Sequence, residues 1–148
     1  MYQRILVPVD GSDCAGRGLS EAIALAKLTH ARLRIVHVID EPLVAIGADA
    51  ALGATVDLVS IAREAAQRVL AHAREKVLVA GIPVDDLMLD TFDGRVCDLV
   101  VQAAKDWHAD LVVIGTHGRR GVDRLLLGSD AEQILRLSPV PVLLVRSP

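Results

Sequence analysis

The chain has 148 residues, 52% of them hydrophobic, 24% charged and only 2% aromatic, with a net charge of −3. A chain of this length buries roughly 70% of its unfolded surface, so one domain spanning residues 1–148 with a core of Ala, Val, Leu and Ile is expected. Scarce aromatics leave no stacking platform for single-stranded nucleic acid, and a pI near 5.9 gives no basic footprint for a duplex, so nucleic acid is not expected as a partner.

No apolar run approaches the length of about 18 residues that would suggest a membrane span. Met1 to Val9 reads as a strand opening into a helix, without the sections of a signal peptide, and a cytoplasmic location is expected. Cys14 and Cys97 form neither a C-x-x-C pair nor a disulfide framework, and five scattered histidines add no metal-ligand spacing.

In chain order, Ile5 to Val9 is a short apolar run ending at Asp10-Gly11-Ser12-Asp13, which supplies turn residues and a helix cap together. Leu19, Ala22, Ile23 and Ala26 then recur at helical spacing, and Leu33 to Val38 is a second apolar run. Residues 39–56 hold Pro42, Gly47 and Gly53 with little periodicity and read as a long connection, a candidate lid. Ile61, Ala65, Val69, Ala73 and Val77 predict a second helix, stopped by Gly81-Ile-Pro83 before a strand at Val84 to Leu89 whose imperfect alternation suits a sheet edge.

Asp93-Gly94 then starts a third helix, with Val96, Leu99, Val100, Ala103 and Trp107 as its apolar stripe. A strand follows at Leu111 to Ile114. A short helix from Ser129 to Leu137 precedes the last strand, Val140 to Val145. The alternation βαβαβαβαβ with apolar, β-branched strands predicts an α/β fold: a parallel sheet covered by helices on both faces. In such sheets ligands bind at the carboxyl ends of strands, where the strand order reverses.

Two loops sit at strand carboxyl ends, one carrying Asp10 and the other running from Gly115 to Gly128. The second has fourteen residues, a length that is unusual in a compact domain unless functional. It contains Gly118, Arg119, Arg120 and Arg124, and ends in a capping-box pattern, Ser129-x-x-Glu132, which predicts Ser129 as a helix cap. Glycines admit close approach of backbone amides, and a helix start favours anions, so this loop predicts a phosphate site. Residues 11–18 come near the P-loop pattern, but Arg17 stands where that pattern needs lysine and Gly18 where it needs a hydroxyl, so a P-loop enzyme is rejected.

The spacing G-x-x-G, nine residues, then G-[S/T] is met at Gly115, Gly118, Gly128 and Ser129. With the opening Ile-Leu-Val-Pro-Val-Asp-Gly-Ser, the central Ala-Asp-Leu-Val-Val-Ile-Gly-Thr-His-Gly-Arg and the closing Pro-Val-Pro-Val-Leu-Leu-Val-Arg, the chain resembles the nucleotide-binding branch of the universal stress protein family. The resemblance implies a single-domain Rossmann-like α/β sandwich, a five-stranded sheet of order 3-2-1-4-5, and a homodimer through antiparallel pairing of the last strand. It also implies an adenine-nucleotide site: Asp10 near ribose or adenine, the Val38 backbone at the adenine edge, Gly115 and Gly118 along ribose and phosphates, and Gly128 and Ser129 on the phosphates. Asp130 stands where the family more often has a small apolar residue. Its carboxylate would repel a phosphate or, alternatively, help to hold Mg²⁺.

The function implied is that of an ATP-binding regulator in stress response, with AMP or ADP as alternative ligands. Two further readings stay open. One is a slow ATPase or self-phosphorylating enzyme using the same pocket, with Ser129 or Thr116 as acceptor and His117 as base, although no activated nucleophile is evident. The other is a dimeric interaction module that binds no nucleotide. Competing local readings make Asp10 a turn residue, Cys14 a buried inert thiol rather than a sensor, and His117 an exposed loop histidine rather than a phosphate contact.

Overall fold

The computed structural model describes residues 1–40, 55–91, 94–117 and 127–146. Strands β1 (Arg4–Pro8), β2 (Arg32–Ile39), β3 (Val84–Asp90), β4 (Leu111–Gly115) and β5 (Val142–Val145) alternate with helices α1 (Asp13–Thr29), α2 (Thr55–Val79), α3 (Val96–Asp106) and α4 (Ser129–Leu137). The strands form one sheet in the order β3-β2-β1-β4-β5, and every pairing is parallel. The expected α/β architecture and strand order are therefore present.

Alternation along the strands feeds two cores. Ile5, Val7, Leu33, Ile35, Leu111 and Val113 face α1 and α2, whereas Leu6, Val36, Val112 and Ile114 face α3 and α4. Ile5, Leu6 and Val7 are all completely buried, and each such side chain contributes about 1.5–3 kcal/mol relative to an exposed one. Central strand β4 is buried at every position, while β3 and β5 are only partly covered because each has a neighbour on one side. Asp110 ties the bases of β1 and β4 together by accepting from the backbone amides of Gln3, at 2.7 Å, and Arg4, at 3.0 Å.

The helix ends follow local chemistry. Ser12 caps α1 through its hydroxyl, which accepts from the Ala15 amide at 3.2 Å, and His30 closes it with φ 58°. Gly81, with φ 75°, supplies the left-handed backbone just after α2 that other residues resist. Three details differ from the sequence reading. The buried stripe of α2 is Ala66, Leu70, Ala73 and Val77, while Ile61 is 56% exposed; the two lines share only Ala73 and Val77. Helix α3 starts at Val96, and Asp93 of the predicted start lies outside the described residues. The last strand starts at Val142 rather than Val140.

β3 carries a fence of ion pairs. Arg34 pairs with Asp85 through two contacts of 2.6 and 3.1 Å, Arg63 with Asp90 at 2.7 Å, and Arg74 with Asp86. The Arg34 guanidinium also lies over the Trp107 ring, 4.9 Å from its centroid.

Candidate functional site

Strand order reverses between β1 and β4, because β1 continues in sequence to β2 on one side and pairs with β4 on the other. At the carboxyl ends of these strands lies a cavity of about 470 Å³, within the range of roughly 300–1,000 Å³ usual for small-molecule sites. Its floor is the end of β1, β2 and β4, contributing Val9, Asp10, His37, Val38, Ile39, Ile114 and Gly115. Its walls are Ala62, Ala65 and Ala66 of α2, Val96 of α3, His117, and Gly128 to Ala131 with Ile134 of α4.

Each predicted site residue that the structure describes lines this cavity: Asp10, Val38, Gly115, Gly128, Ser129 and Asp130. Gly118, like Arg119, Arg120 and Arg124, lies outside the described residues, as do residues 41–54 of the predicted lid.

Asp10 is held by its own turn. Its Oδ1 accepts from the Ser12 amide at 2.9 Å, and Gly11 between them adopts φ 80°, a geometry suited to glycine. The local turn role and the position at the cavity are thus the same geometry: the Asx turn presents this half-buried carboxyl group to the cavity.

Gly115 is glycine for a packing reason that the motif reading did not contain. A Cβ there would stand 2.7 Å from the Cys14 carbonyl oxygen and 2.9 Å from the Cys14 Sγ. Gly18 makes the reciprocal fit, since its Cβ would meet the Gly115 nitrogen at 3.2 Å. Two glycines therefore let the first turns of α1 settle against the end of β4, bringing the Asp10 and Gly115 loops side by side.

Thr116 joins both ends of the second loop. Its carbonyl accepts from the Gly128 amide at 2.7 Å, and its amide donates to Val145 of β5 at 2.9 Å. The start of α4 is thereby fastened to the end of β4. The expected capping box is not formed: Gly128 is the N-cap, with no side-chain cap bond, and Ser129 is the first helical residue. Glu132 turns instead to Arg136, 2.8 Å away. The Glu132 amide donates to the Gly128 carbonyl at 2.9 Å, while Ser129, Asp130 and Ala131 occupy the turn whose amides have no earlier helical carbonyl to bond.

Asp130 and Ser129 are exposed at the cavity edge. The Asp130 carboxylate is felt by Cys97 of α3: burial pushes that thiol up from its ordinary pKa, and the charges of Asp98 and Asp130 push the same way. Both cysteines are buried. Among the described residues, no group of three or more His, Cys, Asp or Glu side chains is placed to hold a metal ion, and no helix is long and apolar enough to cross a membrane.

Two histidines stand differently from their sequence reading, His37 because it was not singled out and His117 because it was expected to be exposed. His37 is buried, with Nδ1 2.7 Å from the Val9 carbonyl; because a carbonyl only accepts, this nitrogen carries the proton. His117, expected as an exposed loop residue, is partly buried in the cavity wall with Nδ1 3.0 Å from the Thr116 hydroxyl. The alanines of α2 were also not anticipated, since small residues at helical spacing carry no signal of a ligand.

The model of the universal stress protein family matches residues 1–146. The chain belongs to the universal stress protein family. A universal stress protein of Thermus aquaticus is 37% identical over 148 residues, covering 99% of this chain and all of that one. The solved structure of the hypothetical protein MJ0577 is 27% identical with a TM-score of 0.87, covering 100% and 98% of the two chains. A universal stress protein solved in complex with cAMP is 26% identical with a TM-score of 0.67, covering 98% of this chain and 97% of that one. Membership in the family and a fold that matches its solved structures are thus shared over nearly the whole chain.

Proposed function

We propose that this universal stress protein is an adenine-nucleotide-dependent regulator, with ATP as its first ligand and ADP or AMP as alternatives. The observation that carries this reading is the Gly128 to Thr116 hydrogen bond. It sets the uncapped start of α4 beside the Asp10 turn, so one cavity offers amide donors at one side and a carboxylate at the other. Amides at a helix start suit phosphate oxygens, and a carboxylate suits ribose hydroxyls. The cAMP complex of a relative with the same fold supports the same ligand class.

In this reading Asp10 and Val38 receive the nucleoside, Gly115 runs along ribose and phosphates, and Gly128 and Ser129 take the phosphates. Asp130 lies where a carboxylate would either repel a triphosphate or share Mg²⁺ with it; the exposed setting of its side chain suits both. Occupancy would stabilise the folded chain and bias the surface offered to a partner, with no chemical step required.

A second copy of the chain is the partner proposed. The two sheet edges differ: β3 is fenced by ion pairs, whereas β5 offers Leu143, 37% exposed. An open apolar edge invites strand pairing, and a twofold dimer removes it.

An enzyme reading has one feature in its favour, the 3.0 Å contact between the Thr116 hydroxyl and His117. It ranks second because Thr116 is 5% exposed and is not among the residues that line the cavity.

The test is to purify the protein without added nucleotide, denature it and identify what is released, then to titrate ATP, ADP and AMP with and without Mg²⁺ by calorimetry. Adenine nucleotide in the released fraction or saturable binding is expected. Absence of both up to about millimolar ligand, a binding free energy near 4 kcal/mol, would favour the interaction module instead.

A further inference from the structure

We infer that the groove between α1 and α2 is a second ligand site, which takes a small molecule carrying several phosphate groups; the inference stands apart from the nucleotide reading above. The groove encloses about 650 Å³, a volume in the range of small-molecule sites. Among the described residues it shares only Val9 and Ala15 with the first cavity, and none of its lining comes from β4 or α4.

Its walls carry a charge opposite to that of the whole chain. Arg68, His72 and Lys76 follow one another at four-residue intervals on α2, so they stand on one face, about 6 Å apart along the helix axis. Arg17 of α1 joins them in the lining. Three cations, Arg17, Arg68 and Lys76, thus meet one carboxylate, Asp13, among the described lining residues, in a chain whose net charge is −3. Along β3 the arginines each hold an aspartate, whereas Arg17, His72 and Lys76 have no ion-pair partner among the described residues, and Arg68 has only Glu64 at 3.9 Å. A cleft lined by one sign of charge concentrates ions of the other sign.

The floor decides which kind of anion fits. Val9, Ala15, Leu19 and Ala73 are at most 6% exposed, so little apolar surface is left to bury against an amphipathic peptide. Attraction must come from charge concentrated in a small volume. Linked phosphate groups supply it, with oxygens that accept from two guanidinium forks, an ammonium and an imidazole N–H. Gly16 leaves its part of the groove empty, since a Cβ there would meet no atom within 4 Å.

The probe is inorganic tripolyphosphate in metal-free buffer at low salt, followed by calorimetry and by mapping of amide chemical shifts. Saturable binding is expected, with the shifts gathered on the facing parts of α1 and α2. Arg17→Ala and Lys76→Ala are each expected to weaken it by roughly two- to fivefold, the range of an exposed ion pair, and the double variant Arg17→Glu, Lys76→Glu by more than about tenfold. Gly16→Phe, which fills the groove and leaves every charge in place, is expected to weaken it by about fivefold or more. Asp13→Asn is expected to tighten it. Lys105→Ala, exposed on α3 across the sheet, is expected to change nothing, and thermal unfolding checks that each variant folds.

Shifts confined to the end of β4 and the start of α4 would assign the phosphates to the first cavity and overturn the inference. A loss in Lys105→Ala as large as in Lys76→Ala, or full affinity in Gly16→Phe, would reduce the binding to general charge attraction and overturn it as well. Citrate binding as tightly as tripolyphosphate would end the phosphate assignment, and a glutamate-rich peptide binding more tightly would make the groove a protein-docking face instead. No binding up to about millimolar tripolyphosphate would remove the site.

Discussion

Gly115 and Cys14 touch backbone to backbone: a single added carbon on Gly115 would stand 2.7 Å from the Cys14 carbonyl oxygen. The contact seats the first turn of α1 on the end of β4, and it supplies the strand-reversal point with its two adjacent loops. Gly115→Ala is expected to destabilise the fold by about 1–3 kcal/mol, the usual cost of forcing extra volume into a packed site. Gly18→Ala, with a nearest approach of 3.2 Å, is expected to cost less. Urea denaturation of both variants checks the order; a Gly115→Ala protein of full stability that had lost only nucleotide binding would assign the glycine to the ligand.

The two serines at helix starts differ in the same measurement. Ser12→Ala removes a formed cap and is expected to cost about 1 kcal/mol. Ser129→Ala removes no cap bond, and a change within about 0.5 kcal/mol is expected. A larger loss at Ser129 than at Ser12 would restore the capping-box account.

Asp130 faces the cavity edge from the first turn of α4. Asp130→Val is expected to tighten ATP several-fold in the absence of Mg²⁺, since a nearby like charge is removed, and to leave adenosine unchanged. Calorimetry with and without Mg²⁺ reads this directly. Loss of Mg²⁺-dependent affinity would instead make the carboxylate a metal partner.

Cys97 gives the chain an alkaline sensitivity. Its folded pKa is raised above the ordinary value of a thiol, first by burial and then by Asp98, so the unfolded chain ionises this thiol first. The associated stability is complete below the unfolded value and declines as pH rises through it toward the folded value. Denaturation midpoints from neutral pH to about pH 10 are expected to fall less in Cys97→Ala than in the wild type. Parallel curves would exclude the thiol as the source.

The dimer proposal is read by mass. Leu143 on β5 is 37% exposed, and Leu143→Asp is expected to convert a dimer to a monomer in sedimentation experiments at micromolar concentration. A charge change on the β3 side, Asp86→Asn, is expected to leave the mass alone. A wild-type monomer under these conditions would end the proposal.

The parts of this fold legible in the sequence were those in which nearby residues carry the whole signal. Apolar runs ending in turn residues marked the strands. Periodicity marked the helices, and the Asp10 to Ser12 turn was visible in its composition. Ile61 shows the limit: the spacing of Ile61, Ala65, Val69, Ala73 and Val77 is helical, yet the sheet selected a line through Ala66 and Leu70 that periodicity alone could not rank above it. Likewise Ser129 and Glu132 spell a capping box, but a backbone bond from Gly128 to Thr116 set the helix start, and Glu132 paired with Arg136.

By itself, then, the sequence determined the order and type of the elements, the alternation that gives the sheet two buried faces, and the two loops that border the site. These depend on residues close together in the chain. Tertiary structure decided that Gly115 must lack a side chain, that His37 and the α2 alanines join the cavity, and that Thr116 links the loop, His117 and β5. Those facts depend on which distant segments approach within a few ångströms, and no local pattern encodes that distance.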